Sequence, residues 1–511
     1  MSFLADDLLE GRDTGTRGYS LAARYVASQF AGLGLEPGGE ASYEQPVPLL
    51  RAEVVPREGS LVLIREGVRQ ELREGQDFYL APHFTRERSD VTAPVVFAGY
   101  GVTAPELGYD DYAGLDVRGK VVAVLRRGPP TLPPTHRAHH AASREKLANA
   151  VSRGAVGVLM MRLPSEVFPW ERMVQGSRFP SLRWLQEDGS PRDAFPTVGA
   201  AATLSASGAE ALFQGAPRAL GDVFRDAETG KPPTFDLPVR IRVRTRTRHA
   251  RLESPNVAGL LRGGDPRLRD EVVVYTAHLD HLGVGEPVNG DSIHNGALDN
   301  ASGSAALLEI ARAFARLPRP PSRSILFLAV TGEEKGLLGS DYFATHPTLP
   351  IENIVANVNV DGLGILFSPA DMVAHGSQHS SLGGAAERAA RKLGLKLSPD
   401  PAPEEVFFVR SDQYSFIRQG IPSLFVMQGF ERADSGATGS EVFQEWMRTR
   451  YHAPSDDMEQ PMDLEGGARH AQLQFLIGLE IANDPHRPTW NEGDFFGDTF
   501  AQGRKHTSET R

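Results

Sequence analysis

Four nearly unbroken apolar runs constrain this chain more than any other feature: VVVYTAH (272–278), ILFLAVTG (325–332), IVANVNVDG (354–362) and PSLFVMQG (422–429). A strand with one wet face alternates polar and apolar residues, so strands this apolar are covered on both faces. Stretches of helical spacing fall between and after them: SGSAALLEIARAFARL (302–317), SLGGAAERAARKLG (381–394) and ARHAQLQFLIGLEIAND (468–484). Strand and helix in alternation predict an α/β fold with a mixed, largely parallel sheet between helices.

The chain before this region reads differently. Leu21, Ala22, Tyr25, Val26, Phe30 and Leu33 recur at helical spacing, with Gly34 as a stop signal. From about residue 50 short strands broken by Gly, Pro and Asp predominate, clearest in VVFAGYGV (95–102) and KVVAVLR (120–126). A helix ending at Gly154 leads into a buried strand, and FPTVGA (195–200) with a helix from about Ser207 closes the section. GDVFRDAETGKPPTFDLP (221–238) then reads as a connecting passage. RIRVRTRTRHAR (240–251) alternates Arg with Val, Ile and Thr, the pattern of a strand with one charged, solvated face.

With 511 residues the chain can bury more than one core. Its 54 Lys and Arg against 65 Asp and Glu leave a net charge of −11, which argues against nucleic acid as a partner. The absence of cysteine excludes disulfides and thiolate metal sites. No apolar run approaches the roughly 18 residues of a membrane span. The abrupt start at FLADDLLEGR fits an export signal removed upstream, so the expected location is periplasmic or secreted, and cytoplasmic otherwise.

The chemistry lies in where acids and histidines fall. In open α/β sheets, sites form beyond the carboxyl ends of the strands. His278 ends one apolar run, Glu333 and Glu334 follow the second directly, and Asp361 closes the third. Asp299 sits in GALDNASG just before a helix, and His452 lies in the later loop YHAPSDD. Two imidazoles and three carboxylates without thiolates suit one or two divalent metals of the zinc type. If one carboxylate bridges, each metal receives one His, one terminal carboxylate and a share of the bridge. Of the adjacent Glu333 and Glu334, one can bind metal while the other stays free as a general base. Asp280, two residues after His278, can orient the imidazole.

AHLDHLG, NGALDNASG, TGEEKGLLGS, NVDG and YHAPSDD, in this order, resemble the clan MH di-zinc exopeptidases, a group that includes bacterial leucyl-type aminopeptidases and glutamate carboxypeptidase II. The resemblance covers roughly 255–484 plus the opening FLADDLLEGRDTGTRGYSLAARYVASQF. It implies two Zn2+ per chain, with His278 and Asp361 on one, Glu334 and His452 on the other, and Asp299 bridging. It further implies Glu333 as general base, Asp280 as the residue orienting His278, and Tyr451 as a donor to the tetrahedral oxyanion. RSDQYSF (410–416) resembles a substrate-side segment, which makes Arg410 and Asp412 pocket candidates. His294 is not expected to be a ligand.

FAGYGVTAPELGYDDYAGLDVRGKVVAVLRRG, GAVGVLMM and FPTVGA resemble an inserted, mostly-β protease-associated (PA) domain. Its His136, His139 and His140 read as part of a loop. The expected organisation is therefore 1–90 as the N-terminal part of the catalytic domain, 91–235 as the PA-like insert, 236–490 as the zinc exopeptidase domain and 491–511 as a tail. The implied activity is an aminopeptidase acting on peptide substrates. The alternatives are a carboxypeptidase or dipeptidase on the same scaffold, and a metal-free, receptor-like binding protein.

Overall fold

The computed structural model describes residues 1–166 and 168–502. The chain divides into two compact units, one formed by Met1–Pro48 with Glu253–Arg511 and the other by Leu49–Leu252. Residues 49–90 and 236–252, expected with the catalytic domain, thus lie in the second unit. The reason is long-range pairing, which composition does not reveal. Arg240–Arg244 run antiparallel to Ser60–Ile64, and Arg240–Arg246 to Arg88–Pro94.

In the first unit the chain forms α1 (Arg17–Gly32), β1 (Val272–His278), α2 (Gly303–Ala315), β2 (Ser324–Val330) and α3 (Leu338–Thr345). It continues with β3 (Ile354–Asn359), β4 (Asp371–His375), α4 (Leu382–Lys392), β5 (Ser423–Gln428), α5 (Gly439–Thr449) and α6 (Leu464–Asn483). β2, β1, β3 and β5 are neighbours in that order and all parallel. Antiparallel strands flank these four on both sides, Val257–Leu261 beside β2 and β4 beside β5. The strand order reverses at β1, which places a crevice at the carboxyl ends of β1 and its neighbours.

Every residue of β1, β2 and β3 is buried. Val273, Tyr275, Ala277, Ile325, Phe327 and Ala329 share a core with α1, α2, α4 and α6. Their alternates Val272, Val274, Leu326, Leu328 and Val330 pack with Phe343 of α3 and with Phe416. Two covered faces account for the unbroken apolar runs. α6 lies so close to β1 that a Cβ on Gly478 would come within 1.9 Å of the Tyr275 hydroxyl. That hydroxyl donates to the Gln474 carbonyl at 2.6 Å. Caps fix the helix starts: Thr16 for α1, a Thr438–Glu441 capping box for α5, and Asp463 for α6. Residues 491–500, expected as part of a tail, are packed instead. Phe496 is fully buried, and Asp494 lies 2.5 Å from the His379 ring. The remainder of the expected tail, 503–511, falls outside the described residues.

In the second unit strands outweigh helices; parallel strands at Val95–Phe97, Val121–Leu125, Gly157–Met161 and Ala200–Leu204 combine with helices such as Ser143–Ser152 and Ala206–Phe213. The passage 221–238, expected as a connection, opens with a helix over Leu220–Glu228. In the basic strand, Ile241, Val243 and Thr245 are buried, while Arg242 and Arg246 point out to Asp90 and Glu58 at 2.6 and 2.7 Å. His136, His139 and His140 lie in a short helix, Pro134–His140, rather than a loop.

Candidate metal centre

Parallel strands that end on one edge deliver their next residues to one place. β1 ends at His278, β2 is followed by Thr331-Gly332-Glu333-Glu334, and β3 by Val360-Asp361. Gly332 turns the chain with φ +68° so that the two glutamates enter the crevice. Asp299 lies in a distorted turn, Ala297–Ser302, directly before α2. His452 follows α5 with φ +56°, an uncommon conformation for a residue with a side chain.

These side chains converge. His278 Nε2 is 3.2 Å from Asp299 Oδ1 and 3.2 Å from Asp361 Oδ1. His452 Nε2 is 3.3 Å from Asp299 Oδ2 and 3.0 Å from Glu334 Oε2. The two oxygens of Asp299 therefore face two separate imidazole–carboxylate groups. In a tetrahedral site with arms of about 2.1 Å, neighbouring ligand atoms lie about 3.4 Å apart. The observed spacings match ligand edges of that size.

Positive charge is required to hold this set together. The Asp280 backbone carbonyl, 3.1 Å from His278 Nδ1, can only accept, so Nδ1 carries a proton and Nε2 faces the carboxylates. Burial works to lower the His278 pKa, but the carboxylates of Asp361 and Glu333 raise it well above the ordinary value. Burial likewise works to raise Asp299 and Glu334; the facing imidazoles overcome it and hold both carboxyls low. Either protons on the imidazoles or metal cations must balance the cluster. The buried Glu334 Oε1 and His281 Nδ1, 2.7 Å apart but misaligned, both lack hydrogen-bond partners. Donor atoms left unsatisfied in a buried acid–imidazole cluster fit a cation.

Glu333 makes neither of these pairings, although its carboxylate lies within 4.8 Å of the ligand atoms of His278 and Glu334. Burial pushes its carboxyl well above the ordinary range; His278 pulls it back, while Asp361 and Glu334 add to the rise. The Asp280 carboxylate does not take the expected position on His278, from which it is 4.0 Å away. It accepts instead from the Glu333 and Glu334 backbone N–H at 3.1 and 3.3 Å, and from the Thr14 hydroxyl at 3.3 Å. Asp280 thus orients His278 through its carbonyl and fixes both glutamates through its side chain.

The remaining sequence candidates are spread around the cluster. Tyr451 stacks on His452 with ring centroids 3.8 Å apart and lines the adjoining pocket. Arg410 also lines that pocket, held by Glu405 at 3.2 Å and lying over the Phe407 ring. Asp412 is fully buried outside the pocket lining, and burial raises its carboxyl to about 7. Its neighbour Ser411 reaches the site, donating to Asp361 Oδ2 at 2.5 Å. His294 is buried, and burial beside His281 and His452 lowers its pKa to about 4.

Three participants were missed in the sequence. His281, the last residue of AHLDH, joins Asp299 and Glu334 as a possible ligand group. Asp456, in HAPSDD, accepts from the backbone N–H of Leu298 and Asp299 at 2.9 and 3.1 Å and so fixes the turn that carries Asp299. Ser411 is the third. His281 and Asp456 stand inside motifs that single out this region, so the letters were visible while their direction was not.

Residues 256–476 match the family model described as Peptidase family M28. This segment belongs to family M28. A "Probable zinc metalloprotease" of Pyricularia oryzae is 28% identical over 259 residues, 45% of this chain and 50% of that protein. "Aminopeptidase YwaD" of Bacillus subtilis is 24% identical over 382 residues, 73% of this chain and 63% of that protein. The chain thus spans about half to two thirds of the length of these curated relatives. The solved "Aminopeptidase from Aneurinibacillus sp. strain AM-1" shares 19% identity with a TM-score of 0.56, covering 95% of this chain and 94% of that one. That likeness shows a common fold along nearly the whole chain. All the candidate ligands, from His278 to His452, lie inside the matched segment.

Proposed function

We propose that this chain is a zinc-dependent aminopeptidase with two metal ions in the cluster around Asp299. The observation that carries the reading is the division of the two Asp299 oxygens between His278 with Asp361 and His452 with Glu334. His452 is the better second imidazole ligand than His281: its side chain is 26% exposed, so an open coordination position beside it can meet substrate, whereas His281 is fully enclosed. Two zinc ions here would polarise the scissile carbonyl and acidify a water.

The chain's own residues supply the remainder. Glu333, which this reading leaves without a metal and which lines the pocket, takes the proton of the attacking water and passes it to the leaving amine. Tyr451, against His452, is placed to donate to the oxygen on which negative charge develops. Asp280 holds the Glu333 backbone, and Ser411 holds Asp361.

The pocket beside the cluster favours an N-terminal residue over a C-terminal one. Three carboxylates face it, those of Asp299, Glu333 and Asp361, and its cation, Arg410, is already held by Glu405. A substrate ammonium suits such a site; a substrate carboxylate does not. The walls are apolar and large, with Phe407, Phe425 and Met427 on one side and Phe443, Trp446 and Met447 of α5 on another. Bulky apolar side chains such as leucine or phenylalanine fit this lining. Peptide substrates follow, and among the described residues no helix is long and apolar enough to cross a membrane. We retain residues 91–235, which lie within the second unit, as a PA-type insert in this proposal.

The test is hydrolysis of aminoacyl-p-nitroanilides before and after chelation, with zinc added back. The reading predicts loss and recovery of cleavage of leucyl and phenylalanyl substrates. No cleavage of any of them by the metal-loaded protein, combined with cleavage of N-blocked peptides from the C-terminus, would point to a carboxypeptidase.

A further inference from the structure

The N-terminal segment lies far outside the stretch 256–476 that matches the family, yet it places a guanidinium beneath the metal cluster. Arg12 is 1% exposed. Its Nε donates to the Leu279 carbonyl at 2.9 Å. Nη1 donates to Asn295 O at 2.7 Å and also to Leu4 O, and Nη2 donates to Gly296 O at 3.1 Å. Its own carbonyl accepts from the His281 N–H at 3.3 Å. Leu279 sits between His278 and Asp280, and Asn295–Gly296 lead into the turn that carries Asp299. One side chain therefore ties together the two loops that hold a terminal imidazole and the bridging carboxylate.

Two further observations set Arg12 apart from an ordinary buried arginine. Among the described residues it makes no ion pair with a carboxylate; its donors go to carbonyls, and burial lowers its pKa only to about 10 because Asp280, Asp456, Asp299 and Glu334 oppose the shift. Its charge is thus left to act on the acid cluster as a whole. The backbone is also held where side chains are rarely found: Glu10, Gly11 and Arg12 have φ of +50°, +65° and +50°. A Cβ on Gly11 would come within 2.4 Å of the His294 carbonyl. Glu10 and Arg12 carry side chains, and such left-handed residues persist where surrounding contacts over-determine them. Asp13 and Thr14 extend the attachment, to Lys335 Nζ at 3.2 Å and to Asp280 Oδ2 at 3.3 Å.

We propose that Arg12 is a positioning residue for metal binding, fixing the His278 and Asp299 loops at ligand distance and offsetting the surplus negative charge of the buried acids. This rests on the reading of the cluster as a zinc site. The fork geometry is essential, because a lysine ammonium can hold one of these loops but not both.

The experiment measures zinc affinity of the purified full chain by competition with a chromophoric chelator, for wild type, Arg12→Lys and Arg12→Met. Arg323→Lys serves as the control: Arg323 is fully buried and donates to carbonyls of Ile481, Asp484 and His486, away from the cluster. Thermal midpoints are recorded for all four proteins without metal. The expected result is zinc affinity lower by about 10–100-fold in Arg12→Lys, more in Arg12→Met, and unchanged in Arg323→Lys. Should Arg12→Met fail to fold, Arg12→Lys carries the comparison. Wild-type affinity in a folded Arg12→Lys overturns the proposal, as does an equal loss in Arg323→Lys, which would mean general loosening. A wild-type chain that binds no zinc refutes the metal site itself, and Arg12's part with it.

Discussion

Asp456→Asn tests how tightly the bridging ligand is held, and the size of the effect follows from its partners. Asp456 is fully buried; Oδ1 accepts from the Leu298 N–H and from Gln460, while Oδ2 accepts from the Asp299 N–H. Asparagine keeps one acceptor oxygen and turns the other position into an NH2 group. That group must face a backbone N–H, whichever way the amide is oriented. A buried donor left without its acceptor costs about 1–3 kcal/mol. In the metal-free protein the turn Ala297–Ser302 can shift to relieve the clash. With Asp299 fixed between two metals it cannot, so most of the cost appears in metal binding. At 1.4 kcal/mol per decade the loss is about 5- to 150-fold in zinc affinity. Chelator competition reads this directly, with the metal-free thermal midpoint taken alongside. Unchanged zinc affinity in a folded Asp456→Asn would refute the claim that this carboxylate positions the bridge.

The remaining predictions concern the base and the pocket. Glu333→Gln is expected to keep both metals, measured by elemental analysis, while kcat falls by about 10²–10⁴; near-normal kcat would remove Glu333 as the base. Glu333 accepts a proton only when ionised, and burial raises its pKa above the ordinary 4.5, so kcat/KM should fall as pH drops through that raised value. Other metal-site variants that retain turnover should keep this acid limb. Phe443→Ala opens the pocket wall, and the preference for leucyl over alanyl p-nitroanilide should shrink by about tenfold; an unchanged ratio would remove α5 from substrate recognition.

Legibility in the sequence followed the range of the interactions. His278, Glu334 and Asp361 could be placed together because fully apolar runs imply parallel strands, and parallel strands share one carboxyl edge. Asp299 and His452 entered the set by residue type, but their roles as bridge and terminal ligand needed the resemblance, since a turn and a late loop have no periodicity that says where they point. The fold of the first unit was readable for the same reason as its strands. The boundary at 49 and 253 was not, because Thr234–Leu261 reads as one alternating strand while its pairing partners change along its length. Arg12 was the least legible. Three of its four bonds reach backbone carbonyls 267 to 284 positions away, and a carbonyl carries no residue signature. Asp280 shows the same limit: its acid was visible, but a peptide N–H at Glu333 rather than the neighbouring imidazole captured it.

The central claim is that Asp299 joins two cations. A zinc-edge anomalous difference map from crystals of the zinc-loaded protein tests it most directly. The account predicts two peaks about 3.5–4 Å apart, one beside His278 and Asp361 and one beside His452 and Glu334, with Asp299 between them. A single peak that leaves one Asp299 oxygen without a metal, or peaks only at surface histidines, would contradict it.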